Sequence, residues 1–150
     1  MKQIIRFTFI LAASAIFTGC SKLILVNDAP LAGSWVLTEA AQKDAYGWYT
    51  FTTGVERGVF NFYNNGTARY TEGGLTMEGT WTIQSTYGGY YDEYGDYYND
   101  NHKSLTVQVS DYYGKNTISM YFDHVRVYAN SFVATNYKSN YIERYRFSRY

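Results

Sequence analysis

From Leu75 to Ile83 apolar and polar residues alternate without a fault. Leu75, Met77, Gly79, Trp81 and Ile83 fall on one side, and Thr76, Glu78, Thr80 and Thr82 on the other. A period of two with one wet face specifies a half-buried antiparallel strand. The same rule sets Leu105, Val107 and Val109 against Thr106, Gln108 and Ser110, and Ile118, Met120 and Phe122 against Ser119, Tyr121 and Asp123. Phe60 and Phe62 alternate with Val59, Asn61 and Tyr63, and residues 34–38, 68–72, 132–136 and 141–149 supply further extended runs, eight strands in all. Asn65-Gly66 suits the positive φ angles of a two-residue hairpin, and Gly73-Gly74 makes a second turn. Helix signal is confined to residues 38–45, where Thr38 or Glu39 is placed to start one short helix.

Eight sequential strands with one apolar face each must stack as a sandwich or close into a barrel. The hairpin-like connections favour an up-and-down meander, and closure removes the exposed edges that invite pairing with other chains. The expectation is therefore an all-β, eight-stranded antiparallel up-and-down barrel over residues 31–150, with two long connections at 39–55 and 84–103. No repeat or linker divides it. The inward residues include Trp35, Phe60, Phe62, Trp81, Phe122, Phe132 and Phe147, and an interior of this width with so many rings is filled or shallow. Lys+Arg and Asp+Glu number 13 each, which leaves no basic excess for a nucleic-acid partner. One Cys and two His exclude an internal disulfide and a Cys/His zinc site.

The first residues read differently. Lys2 and Arg6 charge a short leader, residues 7–17 are almost wholly apolar, and Thr18-Gly19-Cys20 follows. That is the order of a secretory signal, and the apolar run is well short of the roughly 20 residues a membrane-crossing helix needs. Gly19 before the only Cys resembles the lipobox of bacterial lipoproteins. The resemblance implies a signal peptide over 1–19, acylation of Cys20, for instance by palmitate, and a tether over 20–30. Loss of Lys2 and Arg6 would leave 11 basic and 13 acidic residues, a net charge of −2. The partner implied is a membrane, reached through a lipid anchor rather than a span.

Gly33-Ser34-Trp35 opens the first strand as Gly-x-Trp, and Val59-Phe60-Asn61-Phe62, Asn65-Gly66-Thr67 and Gly79-Thr80-Trp81 follow in order. Together these resemble the lipocalin-like lipoproteins of the Bacteroidetes over about residues 31–149. The resemblance implies a barrel able to enclose a small apolar ligand, closed at one end by Trp35 with an Arg from the chain end packed over it. Strand parity selects Arg149 over Arg146, because Arg149 shares a side with Glu143, Tyr145 and Phe147. In lipoproteins of this kind an acidic run just after the Cys marks export to the cell surface. Ser21-Lys22 here implies an outer-membrane anchor facing the periplasm.

Residues 84–103 carry Tyr87, Tyr90, Tyr91, Tyr94, Tyr97 and Tyr98 together with Asp92, Glu93, Asp96 and Asp100. A loop of that length is functional or disordered. Tyr is an amphipathic contact residue of low entropic cost, so the segment reads either as a recognition loop for a protein or glycan or as a solvated loop with rings lying on the barrel wall. Its acids do not match the spacing of a Ca²⁺ loop, and the expectation is no metal and no cofactor. Trp81 reads as core or as a ligand-stacking ring. Glu143 falls on the inward side near an opening. His102, and His124 beside Asp123, find no nucleophile at a productive spacing, so no catalytic residue is assigned. The leading expectation is non-enzymatic binding of a small apolar molecule by an envelope-tethered barrel. The alternative is a protein or glycan interaction module, inhibitory in some settings, that displays the Tyr-rich segment on a filled barrel.

Overall fold

The computed structural model describes residues 31–150. The leader, Cys20 and the tether to residue 30 lie outside the described residues, and so do the expectations that rest on them.

Among the described residues ten strands form one antiparallel sheet and there is no helix. They are β1 (Gly33–Asp44), β2 (Gly47–Thr50), β3 (Val59–Phe62), β4 (Thr67–Glu72), β5 (Leu75–Tyr91), β6 (Tyr97–Ser110), β7 (Thr117–Phe122), β8 (His124–Val127), β9 (Ser131–Lys138) and β10 (Tyr141–Arg149). The hydrogen-bonded order is β7-β6-β5-β4-β3-β1-β10-β9-β8, with β2 attached to β1 off that path. The first and last strands therefore lie side by side, Trp35 opposite Arg149.

Eight strands in a closed ring were expected, and two things differ. First, the connection at 39–55 contains β2, which turns back on the far end of β1. Second, the strand expected at 118–123 runs on past Asp123 as β8. β7 pairs with β6 and β8 with β9, so the ladder is open, its two ends separated by Asp123 alone. The Asp123 carboxylate accepts the N–H of Tyr137 at 2.7 Å, filling with a side chain a ladder position that β8 would otherwise occupy.

The helix expected over 38–45 is strand. Pairing with β10 shifts between Leu37 and Glu39, a bulge that leaves Thr38 unpaired, and beyond it Ala41 to Asp44 gain a second partner in β2. Ladders on both edges outweigh a weak helical preference. The Gly73-Gly74 turn is a two-residue hairpin with both φ angles positive. The Asn65-Gly66 turn is not. Gly66 N–H donates to Tyr63 and Tyr63 N–H to Thr67, both at 3.0 Å, and Gly66 supplies the only positive φ. Four residues thus make the connection, a tight turn closed by a left-handed glycine.

The long loop expected at 84–103 is a hairpin. β5 and β6 stay in register to Tyr91 opposite Tyr97, and the turn is Asp92–Asp96, whose Asp92 carboxylate accepts the N–H groups of Tyr94 and Asp96. Beyond Thr80 and Leu105 the two strands have lost β4 and β7 and pair with each other. The tip returns to the outer face of the sheet, where Thr135 Oγ1 donates to the Tyr91 carbonyl at 2.5 Å, Arg144 to that of Glu93 at 3.0 Å and Lys43 to that of Tyr94 at 3.1 Å. Val133 and Thr135, outward on β9, are consequently as buried as the inward Phe132 and Ala134.

The core is densest where the chain enters and leaves. Phe132 stacks on Phe147 with centroids 4.4 Å apart, and Trp35 meets Phe132 edge-on at 4.9 Å. Phe60, Phe62 and Trp81 complete the aromatic layer, and burial of rings on this scale contributes roughly 1.5 to 3 kcal/mol each.

Candidate functional site

At the opposite end the sheet holds an open cleft of about 580 Å³, within the range of small-molecule sites. Inward positions of β7 place Ile118, Met120 and Phe122 along one wall, and Phe51 and Val55 stand on a second side. The Phe122 ring rests against Tyr145 at 5.1 Å and forms the floor with it. The facing wall, from β9 and β10, is polar. Going up β9 the inward residues pass from Phe132 and Ala134 to Asn136 and Lys138, and going up β10 from Phe147 and Tyr145 to Glu143. Asn136 and Glu143 are directly opposed in register, which puts their Cβ atoms about 5 Å apart.

The Tyr145 hydroxyl donates to Glu143 Oε2 at 3.0 Å. Burial, and then the Glu143 charge, push the Tyr145 phenol above its ordinary range, so it stays protonated as a donor. Asn136 is 8% exposed and lines the cleft, and its amide, without a side-chain hydrogen bond among the described residues, is not one of the buried orphan atoms and so opens to the cleft. Lys138 stands at the exposed rim.

Glu143 is thus brought to an opening. Trp35 and Arg149 are brought together, the guanidinium carbon 4.4 Å from the ring centroid, and Arg149 also donates to the carbonyls of Ala32 and Ala129. Trp35 itself is fully buried, and its indole N–H donates to Leu31 at 2.8 Å. Trp81 lies in the core and is not part of the cleft lining, its N–H donating to the Tyr63 carbonyl.

The tyrosines of the hairpin divide. Tyr90 lies between His102 and His124, with centroids 4.4 and 4.3 Å away, and Tyr91 packs on Tyr137 at 4.9 Å. Tyr87, Tyr94, Tyr97 and Tyr98 are exposed, Tyr87 by 71%. The histidines line a second cleft of about 390 Å³ between β6 and β8, floored by Leu31, Ile83, Val125 and Val127. Burial, with the nearby His102 and Arg126, lowers His124 to about 4. Among the described residues no group of three metal-ligating side chains comes together.

Sequence reasoning passed over the cluster beneath the hairpin tip. Glu93 is 5% exposed. It accepts the Tyr128 hydroxyl and lies 3.8 Å from Arg126 and 3.6 Å from Arg146. Arg144 bridges to Glu39 at 2.7 Å and stacks over Trp48 at 4.1 Å. Its components come from positions far apart in the chain, so no local spacing announces it. Asn136 was also passed over, although a polar residue in the inward register after Phe132 and Ala134 was a visible signal.

Comparison with protein-family models, curated proteins and solved structures finds no match to this chain.

Proposed function

We propose that this chain is an envelope-anchored lipoprotein whose lipocalin-like domain binds a small, largely apolar molecule in the 580 Å³ cleft, without catalysing a reaction on it. One observation carries the reading. The end of the sheet where β1 begins and β10 ends is packed solid with rings, whereas the far end is open and has Ile118, Met120 and Phe122 on one wall. Two further features support an eight-stranded barrel reading. β7 and β8 are one chain interrupted at Asp123, and counting them as one strand with β2 as a flap gives a meander of eight. Arg149 over Trp35 matches the closure that the resemblance implies. Cys20 is proposed as the lipid attachment in an outer membrane, with the domain in the periplasm.

Native mass spectrometry of protein isolated from its own envelope tests the proposal. A co-purifying apolar molecule that is lost in Met120→Glu supports it. Absence of any ligand, together with failure of neutral apolar dyes to bind, overturns it. The exposed Tyr87, Tyr94 and Tyr97 favour a second reading, a surface that engages a protein or glycan. Tyr87→Ser with Tyr97→Ser separates the two, since cleft binding survives that change and surface recognition does not.

A further inference from the structure

The cleft has two unlike walls. The inward side chains of β7, Ile118, Met120 and Phe122, offer carbon and sulfur, with the hydroxyl-bearing Thr117, Ser119 and Tyr121 beside them, whereas the β9–β10 wall offers a carboxylate and an amide in register. A wholly apolar ligand would leave that polar wall covered and unanswered, which costs free energy for each group stripped of water. Tyr145 already satisfies one Glu143 oxygen, and an ionised carboxylate has acceptor capacity left over. Asn136 is the stronger sign. It is only 8% exposed and lines the cavity, and its amide, without a side-chain partner among the described residues and not a buried orphan, opens to the cleft with a donor and an acceptor for something that enters.

Resting on the cleft-binding reading, we infer that the ligand is amphipathic. Its apolar body lies along Ile118, Met120 and Phe122, and its head is a hydrogen-bond donor, an alcohol or a primary ammonium rather than a carboxylate, held by Glu143 and Asn136. An anionic head would enter beside the Glu143 charge. Lys138 is the cation of this wall, and it sits out at the exposed rim rather than at the level of the opposed pair. A site that hydrogen-bonds a head group rejects the analogue lacking the right partner far more strongly than an apolar pocket rejects a changed chain length.

The test uses the full mature chain carrying Cys20→Ser, which removes the lipid and keeps every described residue. Phenylnaphthylamine, a neutral fluorescent probe, is displaced near neutral pH by decanol, decylamine and decanoate, three heads on one chain. Decanol and decylamine are expected to bind at least about tenfold more tightly than decanoate. Glu143→Gln should collapse the preference of decylamine over decanoate, and Asn136→Leu should lower the affinity for decanol relative to that for the probe. Thermal melts confirm that both variants fold. Equal binding of the three heads, or tightest binding of decanoate, overturns the inference and leaves cleft binding standing. A wild-type chain that fails to bind the probe and all three heads overturns the cleft reading itself, and the inference with it.

Discussion

Glu93→Ala should release the Tyr-rich hairpin from the outer face of the sheet without unfolding the core. The magnitude follows from what surrounds the side chain, which is 6% exposed. The Tyr128 hydroxyl donates to it, a bond to a charged acceptor contributing about 1.5 to 3 kcal/mol. Arg126 at 3.8 Å and Arg146 at 3.6 Å are 56% and 39% exposed, so each adds only about 0.2 to 1 kcal/mol and regains water when the carboxylate is gone. Against these stands the cost of burying the charge, which the substitution recovers. The net loss is about 1 to 3 kcal/mol, or roughly a five- to 150-fold larger open population. Three backbone anchors, at Tyr91, Glu93 and Tyr94, remain and keep the opening local. Hydrogen exchange read by mass spectrometry measures this directly. Peptides spanning residues 86–100 should exchange faster by that factor, and peptides of β3 and β4 should not change. Glu93→Gln, still able to accept from Tyr128, should fall between the two. Unchanged exchange over 86–100, or acceleration spread evenly through β3 and β4, would refute the argument that this carboxylate pins the hairpin.

Other outcomes follow from the same geometry. In a double-mutant cycle, Arg149→Ala and Trp35→Leu should each lower stability in urea melts, with the pair costing about 0.5 to 1 kcal/mol less than the sum; strict additivity would show that the two do not interact. His124 titrates at about 4 when folded and near its ordinary 6.5 when unfolded, so the unfolded chain takes up the proton first. Stability is therefore full at neutral pH and falls as the pH drops through 6.5 towards 4, by about 1 to 2 kcal/mol for a half-buried ring. Asp92 and Glu93 oppose the shift and His102 and Arg126 reinforce it. His124→Phe should flatten the pH 6.5 to 5 portion, and an unchanged slope counts against the assignment. Gly79→Ala places a Cβ 2.0 Å from the Gln108 carbonyl and should lower the urea midpoint by more than a surface substitution does, a cost of about 1 to 3 kcal/mol. Cys20→Ser should abolish palmitate labelling and free the protein from membranes; a labelled, membrane-bound variant would sink the lipobox reading.

Where a strand has one wet face and one dry face, its residues declare it. β5 up to Ile83, β6 from Leu105, β7 and β10 were legible for that reason, and so was the inward parity of Glu143, Phe147 and Arg149. The rest was hidden by longer-range forces. Glu39 to Lys43 have a helical preference that neighbouring ladders override, with β10 along the whole stretch and β2 from Ala41 on. The hairpin from Gln84 to Lys103 pairs only with itself until its tip meets the outside of the sheet, so neither face has a uniform environment and no period of two appears. Its six tyrosines read as a loop for contact. Tyr90 and Tyr91 instead hold the hairpin against His124 and Tyr137. The split at Asp123 left no trace either, since one carboxylate accepting one N–H is a choice between partners that only the assembled sheet can make.

Leu31 and Tyr150 belong to the same end of the sheet, where the Tyr150 N–H donates to Ser34, and the cleft belongs to the other. Along the nine residues of β10 that separation is roughly 30 Å. A leash from Cys20 to Leu31 reaches at most about 40 Å. With the lipid proposed at Cys20, the plugged end would be the end nearer the attachment point, and the mouth would lie about a domain length beyond it. Because that reach exceeds the length of β10, such an anchor would leave the domain free to turn, with the mouth facing the water in one orientation and the lipid surface in the other.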